Sequence, residues 1–409
     1  MRKQNEERLT TFSSAIMRPF ADFFSFALLA SAALLSGCGG GADSNLGGAQ
    51  NTLAATLTSS AETPRTLPTN APARFAYISN YDTADISTFE VDALTGDLRW
   101  VGNTPAGSGP GAVVMHPSGD YAFVANFDSN DVSTFRINRA NGLLQPVQRT
   151  PAGIWPAALV LTPSGNFAYT ANFASNTVSM FRVDMHSGSL LPLGDIPTGI
   201  NPRQLLIEPS GRFMYVANWG SQDISVFTID TTSGLLQASG PPLRAPDTPF
   251  NLQIAPSGIH LYLLSFLAGS NNVHHAHIQP DNGQLTLLPA AVSAGAHPIA
   301  MAMNDNGRFA YVANSLDGSG GNSISAFSVA PDSGLLTQVD CGCGQNGYAT
   351  GINPNNLAFS PTGTHLYVTN ASSNDVTIYA VDRNSGILTL SGHVTTVGSY
   401  PMGITFGRS

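Results

Sequence analysis

The chain has 409 residues, a formal net charge of −9 and only 11% charged side chains. Its one lysine is Lys3, and later positive charge comes from scattered arginines such as Arg136, Arg203 and Arg212. That excludes the clustered basic surface on which nucleic-acid binding depends.

In chain order, Arg2, Lys3 and Arg8 precede an apolar run over residues 23–35, too short for a dependable membrane span. The run ends in Leu35-Ser36-Gly37-Cys38, which resembles a bacterial lipobox. The resemblance implies cleavage of residues 1–37 as a signal peptide, acylation of Cys38, and a lipid bilayer as partner. Met17-Arg18, directly before the run, offers a second start besides Met1. Gly39 is not the aspartate associated with inner-membrane retention, so the outer membrane is the expected address in a cell with two. Residues 38–73 are rich in Gly, Ala, Ser, Thr, Asn and Pro without periodicity, and read as a flexible tether.

From residue 74 to 409 one pattern recurs. Its fullest copies are Tyr121-Ala122-Phe123-Val124-Ala125-Asn126, Phe167-Ala168-Tyr169-Thr170-Ala171-Asn172 and Phe213-Met214-Tyr215-Val216-Ala217-Asn218, spaced 46 residues apart. The closing asparagine recurs at Asn80, Asn314 and Asn370, with Ser265 in its place in the fifth copy. In the second copy the predicted strands are 111–116, 121–126, 131–137 and 143–150, separated by turns such as Pro117-Ser118-Gly119-Asp120. Short strands at this period, with no helical stretch, predict an all-β, seven-bladed propeller of four-stranded antiparallel blades. The first copy, at 75–80, has no inner strand ahead of it. Pro401-Met402-Gly403-Ile404-Thr405-Phe406 matches Pro110-Gly111-Ala112-Val113-Val114-Met115, so the C-terminal strand is expected to complete the N-terminal blade.

The inner strands open with Gly111, Ala157, Arg203, Phe250, Ile299, Asn355 and Met402, which should line one mouth of the central channel. Arg203 is their only charge, so the mouth reads as suited to uncharged or single-anion ligands. Aligning the copies after the strand-ending Asn or Ser gives Tyr81, Phe127, Phe173, Trp219 and Phe266, then Ser315 and Ala371. This row is either packing between blade corners or a rim of platforms for a sugar face or an apolar peptide. His275 and His277 share a strand face and are candidate metal ligands, or else surface polar residues. Cys341 and Cys343 are read as a disulfide in the loop between blades six and seven, with metal binding or free thiols as alternatives. No phosphate loop, nucleophile elbow or paired catalytic carboxylates occur, and no cofactor is expected.

The Tyr-Val-Ala/Thr-Asn blades, the His-Pro-Ser-Gly corner at 116–119 and the sevenfold count resemble the lactonase-type propeller family of 6-phosphogluconolactonases and carboxymuconate cyclases. The resemblance covers about residues 74–407. It implies a site built on a Gly-Pro-Arg-His segment and an Asn-Glu pair. Here these become Asn201-Pro202-Arg203-Gln204 and Asn218-Trp219: the arginine is kept as Arg203, the histidine is Gln204 and the carboxylate is Trp219. A further family histidine falls near Ala157, and a second family arginine near Ala296 beside His297. The primary reading is therefore an envelope-anchored binding or scaffold module, taking a carbohydrate, a small anionic ligand or an envelope protein. The alternative is a lactone hydrolase in which Arg203 holds the substrate anion.

Overall fold

The computed structural model describes residues 75–265, 271–315, 322–342, 347–396 and 398–407. These form seven antiparallel sheets, each starting from an inner strand that opens with proline. In blade two the strands are Pro110–Met115, Tyr121–Asn126, Asp131–Ile137 and Leu144–Pro151. Four blades have four strands. In blades four to six the outer strand is broken into two pieces that both pair with the third strand. In blade four the break holds Gly240-Pro241-Pro242, in which neither proline can donate to the ladder.

Blade one confirms the expected closure. Pro401–Phe406 pairs with Phe75–Asn80 in the register Ala76↔Phe406, Tyr77↔Thr405, Ile78↔Ile404 and Ser79↔Gly403. Second strands are buried on both faces in every blade, because each sheet is covered by its two neighbours. Phe167 and Tyr169 of blade three, for example, pack with Leu205, Met214, Val216 and Phe227 of blade four.

Two polar devices are repeated around the circle. A tyrosine from the second strand donates its hydroxyl to a turn glycine carbonyl of the following blade: Tyr77 to Gly142 at 2.9 Å, Tyr169 to Gly234 at 2.8 Å, Tyr215 to Gly283 at 3.0 Å and Tyr262 to Gly334 at 2.7 Å. Tyr367 of blade seven reaches Gly96 of blade one at 2.7 Å, carrying the series across the closure. The strand-ending asparagine is the second device. Asn218 donates from Nδ2 to Asp223 Oδ1 (2.7 Å) and Ser225 Oγ (2.9 Å) and accepts at Oδ1 from Thr198 Oγ1 (3.2 Å). Asn218→Ala should lower stability by about 2–4 kcal/mol, since it strips partners from buried polar groups. A urea midpoint within error of the wild type would contradict this.

The fifth blade shows why this node is a unit. A β-carbon at Gly107, Gly153, Gly199 or Gly295 would lie 2.5 Å from the asparagine Cγ of its blade, so these blades require glycine there. Where Ser265 replaces the asparagine, that space opens and Pro246 takes the glycine position. The serine of the third strand becomes His274, which spans the gap and pairs through Nε2 with Asp247 Oδ2 at 2.8 Å. Four changes scattered over some 30 positions of sequence make one local substitution.

Candidate functional site at the channel mouth

The two rows of residues picked out by alignment meet on one rim. Before six of the seven opening prolines, all but Pro249 of blade five, the chain takes a left-handed turn at Gly109, Trp155, Asn201, His297, Asn353 and Tyr400, with φ between 51° and 65°. Each of these residues offers its carbonyl to the N–H that follows a strand-ending Asn: Phe127 to Gly109, Phe173 to Trp155, Trp219 to Asn201, Ser315 to His297, Ala371 to Asn353 and Tyr81 to Tyr400, at 2.8–3.0 Å. The aromatic row is thereby stitched to the turns that launch the channel strands.

That stitching fits the packing reading of the aromatic row. Tyr81, Phe127 and Phe173 are 6%, 1% and 8% exposed, so they pack corners together and present little or no ring face to a ligand. Phe127 stacks on Trp155 with centroids 5.4 Å apart, and Tyr81 meets Tyr400 edge-on at 6.2 Å. Trp219 keeps intermediate exposure, 6.2 Å from Phe173. Trp155 and Tyr400 are also partly exposed on this rim. They escaped the sequence reading because the pre-proline position has no constant residue to align. Phe266 lies outside the described residues.

Arg203 occupies the second position of the inner strand Pro202–Ile207, with its guanidinium carbon 4.6 Å from the Phe250 ring centroid. It forms no hydrogen bond or ion pair among the described residues, whereas Arg99, Arg139 and Arg149 each hold a carboxylate. Arg203 keeps intermediate exposure to the channel yet is surrounded by protein, and loss of bulk solvation lowers its pKa to about 10. It is therefore still charged at neutral pH. A desolvated, unopposed cation on a channel-lining strand is an anion site in waiting.

The other candidates separate. Gln204 and Phe250 are partly exposed on the same two inner strands as the Arg203 contact. Asn355 is engaged at both ends of its amide: Nδ2 donates to the Pro401 carbonyl at 2.8 Å, and Oδ1 accepts from Thr369 Oγ1 at 2.8 Å. It braces blade seven against the terminal strand while keeping partial exposure. His297 is 8% exposed at the left-handed turn of blade six.

His275 and His277 lie well away on the third strand of blade five. Register pairs His277 with His260, and His275 Nε2 lies 3.0 Å from His260 Nδ1. His275 is 4% exposed and stacked on Tyr262 at 4.9 Å, so it is not a surface residue. Burial together with His260 and His277 pushes its pKa down to about 4. Among the described residues no group of three or more His, Cys, Asp or Glu is placed to hold a metal. Cys341 is disulfide-bonded, while Cys343 and Cys38 lie outside the described residues.

A family profile described as "Lactonase, 7-bladed beta-propeller" matches residues 50–154, 101–248 and 306–406. A 6-phosphogluconolactonase of Pectobacterium carotovorum is 33% identical over 107 residues, spanning 25% of this chain and 30% of that relative's length. Among solved structures, a provisional 6-phosphogluconolactonase of Bacteroides uniformis superposes with a TM-score of 0.72 at 22% identity, over 82% of this chain and all of its own. The periplasmic gluconolactonase of Pseudomonas aeruginosa gives 0.72 at 21% identity, over 82% of this chain and 99% of its own. At these identities the structural likeness is one of fold.

Proposed function

The chain belongs to the lactonase family of seven-bladed β-propellers, and from that premise we propose that its channel mouth binds a lactone and opens it by hydrolysis. The observation that carries this is Arg203, a partly exposed guanidinium on an inner strand with no carboxylate partner among the described residues. In lactone hydrolysis a water oxygen bonds to the carbonyl carbon and the ring C–O bond breaks. The ring oxygen leaves with a proton, and the new acid releases one. Negative charge grows first on the carbonyl oxygen and ends on the carboxylate. Arg203 is suited to both stages, because a cation partly withdrawn from water and already in place stabilises an oxyanion more than water does. His297, a titratable residue of the same rim, is the first to test as proton acceptor.

Arg203→Met should reduce kcat/KM for δ-gluconolactone by about 10²–10³. Folding should survive, because no carboxylate loses its partner. Turnover unaffected by this substitution would remove Arg203 from the mechanism.

The second reading, a module that binds without turnover, is favoured by Gln204 and Trp219, which cannot transfer protons and stand where the resemblance implies a histidine and a glutamate. Calorimetric binding of gluconate, with no hydrolysis of any lactone, would select it. For either reading we propose anchoring in the cell envelope through acylated Cys38, supported by Leu35-Ser36-Gly37-Cys38. Palmitate labelling that persists in Cys38→Ser would refute the anchor.

A further inference from the structure

The rim is not uniform around the circle. Two residues before the opening proline stand Ile154 and Ile200 in the adjoining blades three and four, 53% and 55% exposed. Ile352 holds the same place in blade seven, 58% exposed but without a neighbouring isoleucine or tryptophan in blades six and one. The equivalent residues of blades one and two are Ser399 and Ser108. Ile154 and Ile200 are both fixed by backbone, with the Ile154 carbonyl accepting from Ala174 N–H at 3.1 Å and the Ile200 carbonyl from Gly220 N–H at 2.9 Å. Their exposure is thus a built property of the turn.

Trp155 directly follows Ile154, and Trp219 is tied to the Ile200-Asn201 turn by its N–H donating to the Asn201 carbonyl at 2.9 Å; both rings are partly exposed. The Phe173 carbonyl accepts from Asn201 Nδ2 at 3.1 Å, tying the blade-three corner to the turn that precedes Arg203. Charge divides the rim in the same way. The residue after the corner aromatic is Asp82 in blade one and Asp128 in blade two, but Ala174 in blade three and Gly220 in blade four. An anion is repelled from the first two blades and attracted to Arg203, next to the apolar surface of the other two.

We infer that the mouth takes an amphipathic lactone, one with a hydrocarbon tail, whose tail lies on Ile154, Trp155, Ile200 and Trp219 while the carbonyl and the carboxylate it becomes face Arg203. This rests on the reading above and names the substrate class of the same site. A polyol lactone has only its C–H face to set against these side chains, whereas an alkyl chain removes all four from water along with itself.

The test uses the purified full-length chain with δ-valerolactone, δ-octalactone and δ-gluconolactone. Partial burial of three added methylenes should raise kcat/KM for δ-octalactone about tenfold over δ-valerolactone. The double variant Ile154→Ser/Ile200→Ser should bring that ratio close to one. Leu94→Ser, at an 88% exposed leucine of an outer turn, should leave it unchanged. Equal rates for the two alkyl lactones, with δ-gluconolactone turned over, would overturn this inference and leave the hydrolase reading standing. Should no lactone react, the hydrolase reading fails and binding decides. 5-Hydroxyoctanoate bound about tenfold more tightly than 5-hydroxypentanoate, with the difference lost in the double variant, would uphold the apolar sector. Equal affinities would end it.

Discussion

Truncation of residues 401–409 is expected to abolish cooperative folding, an effect far larger than nine residues would contribute elsewhere on the surface. The strand Pro401–Phe406 supplies the whole inner edge of blade one. Without it, Phe75–Asn80, in which every residue is buried, would expose an unpaired edge. The loss extends to the neighbours. Ile404 is 5% exposed and packs with Ala76, Ile78 and Tyr367, so it joins blade one to blade seven. The Asn355 amide would lose the Pro401 carbonyl, and Tyr400, whose carbonyl accepts from Tyr81 N–H, would become a loose chain end. Domains of this kind are stable by only about 5–15 kcal/mol, and the opened circle forfeits an inter-blade core as well as a ladder. A point variant gives a graded version. Ile404→Asp places a carboxylate in an apolar seam without a partner and should cost about 3–5 kcal/mol. Urea unfolding followed by tryptophan fluorescence, with size-exclusion chromatography of the truncated chain, measures both. A truncated protein that elutes as a monomer with an unchanged midpoint would show that the terminal strand does not close the propeller.

Acid should weaken the fold through blade five before the carboxylates are neutralised. His275 has an ordinary pKa of 6.5 when unfolded and about 4 when folded, because burial and the adjacent His260 and His277 oppose its charge. His260 is lowered by burial and by His277, against the opposing pull of the Asp332 backbone. The ring of Tyr262 and the Gly334 turn cover the pair from the other sides. Between these two pKa values the unfolded chain binds the proton that the folded chain refuses. Stability is therefore fully present above pH 6.5 and falls as pH drops towards 4, by about 3 kcal/mol for His275 alone. The same strand position in other blades is Met180, Val226 or Ile378, so His275→Met should be tolerated. The variant should show a flatter dependence of the urea midpoint on pH between 4.5 and 6.5. His116 and His365, also lowered by burial, contribute equally to both proteins and cancel in the comparison. Parallel curves for variant and wild type would exclude His275 as the source.

How far the site could be read from the sequence differs residue by residue. Arg203 stood out because it is the one charge in the column of inner-strand openers, and its position in the blade follows from the repeat alone. That it lacks a carboxylate partner did not follow, since Arg99 and Arg149 find theirs on the neighbouring strand of the same blade. Phe127 and Trp219 occupy the same column, yet one is 1% exposed and the other is partly open. The difference arises from the pre-proline residue against which each can pack. Trp155 covers Phe127, and no sequence column announces that contact. His260 stands in no sequence motif, yet cross-strand register makes it the partner of His277 and brings it to His275.

The sequence by itself determined the number of blades, the turn glycines, the strand-ending asparagines and the closure by the last strand. Each of these is a local requirement repeated with a fixed period, and repetition makes a local rule visible. Only the tertiary structure decided which side chains of a repeated column stay open, which cation is left unopposed and which histidines meet. Those outcomes depend on residues from neighbouring blades or strands arriving at one place, where packing and desolvation act on the pair and not on either residue alone.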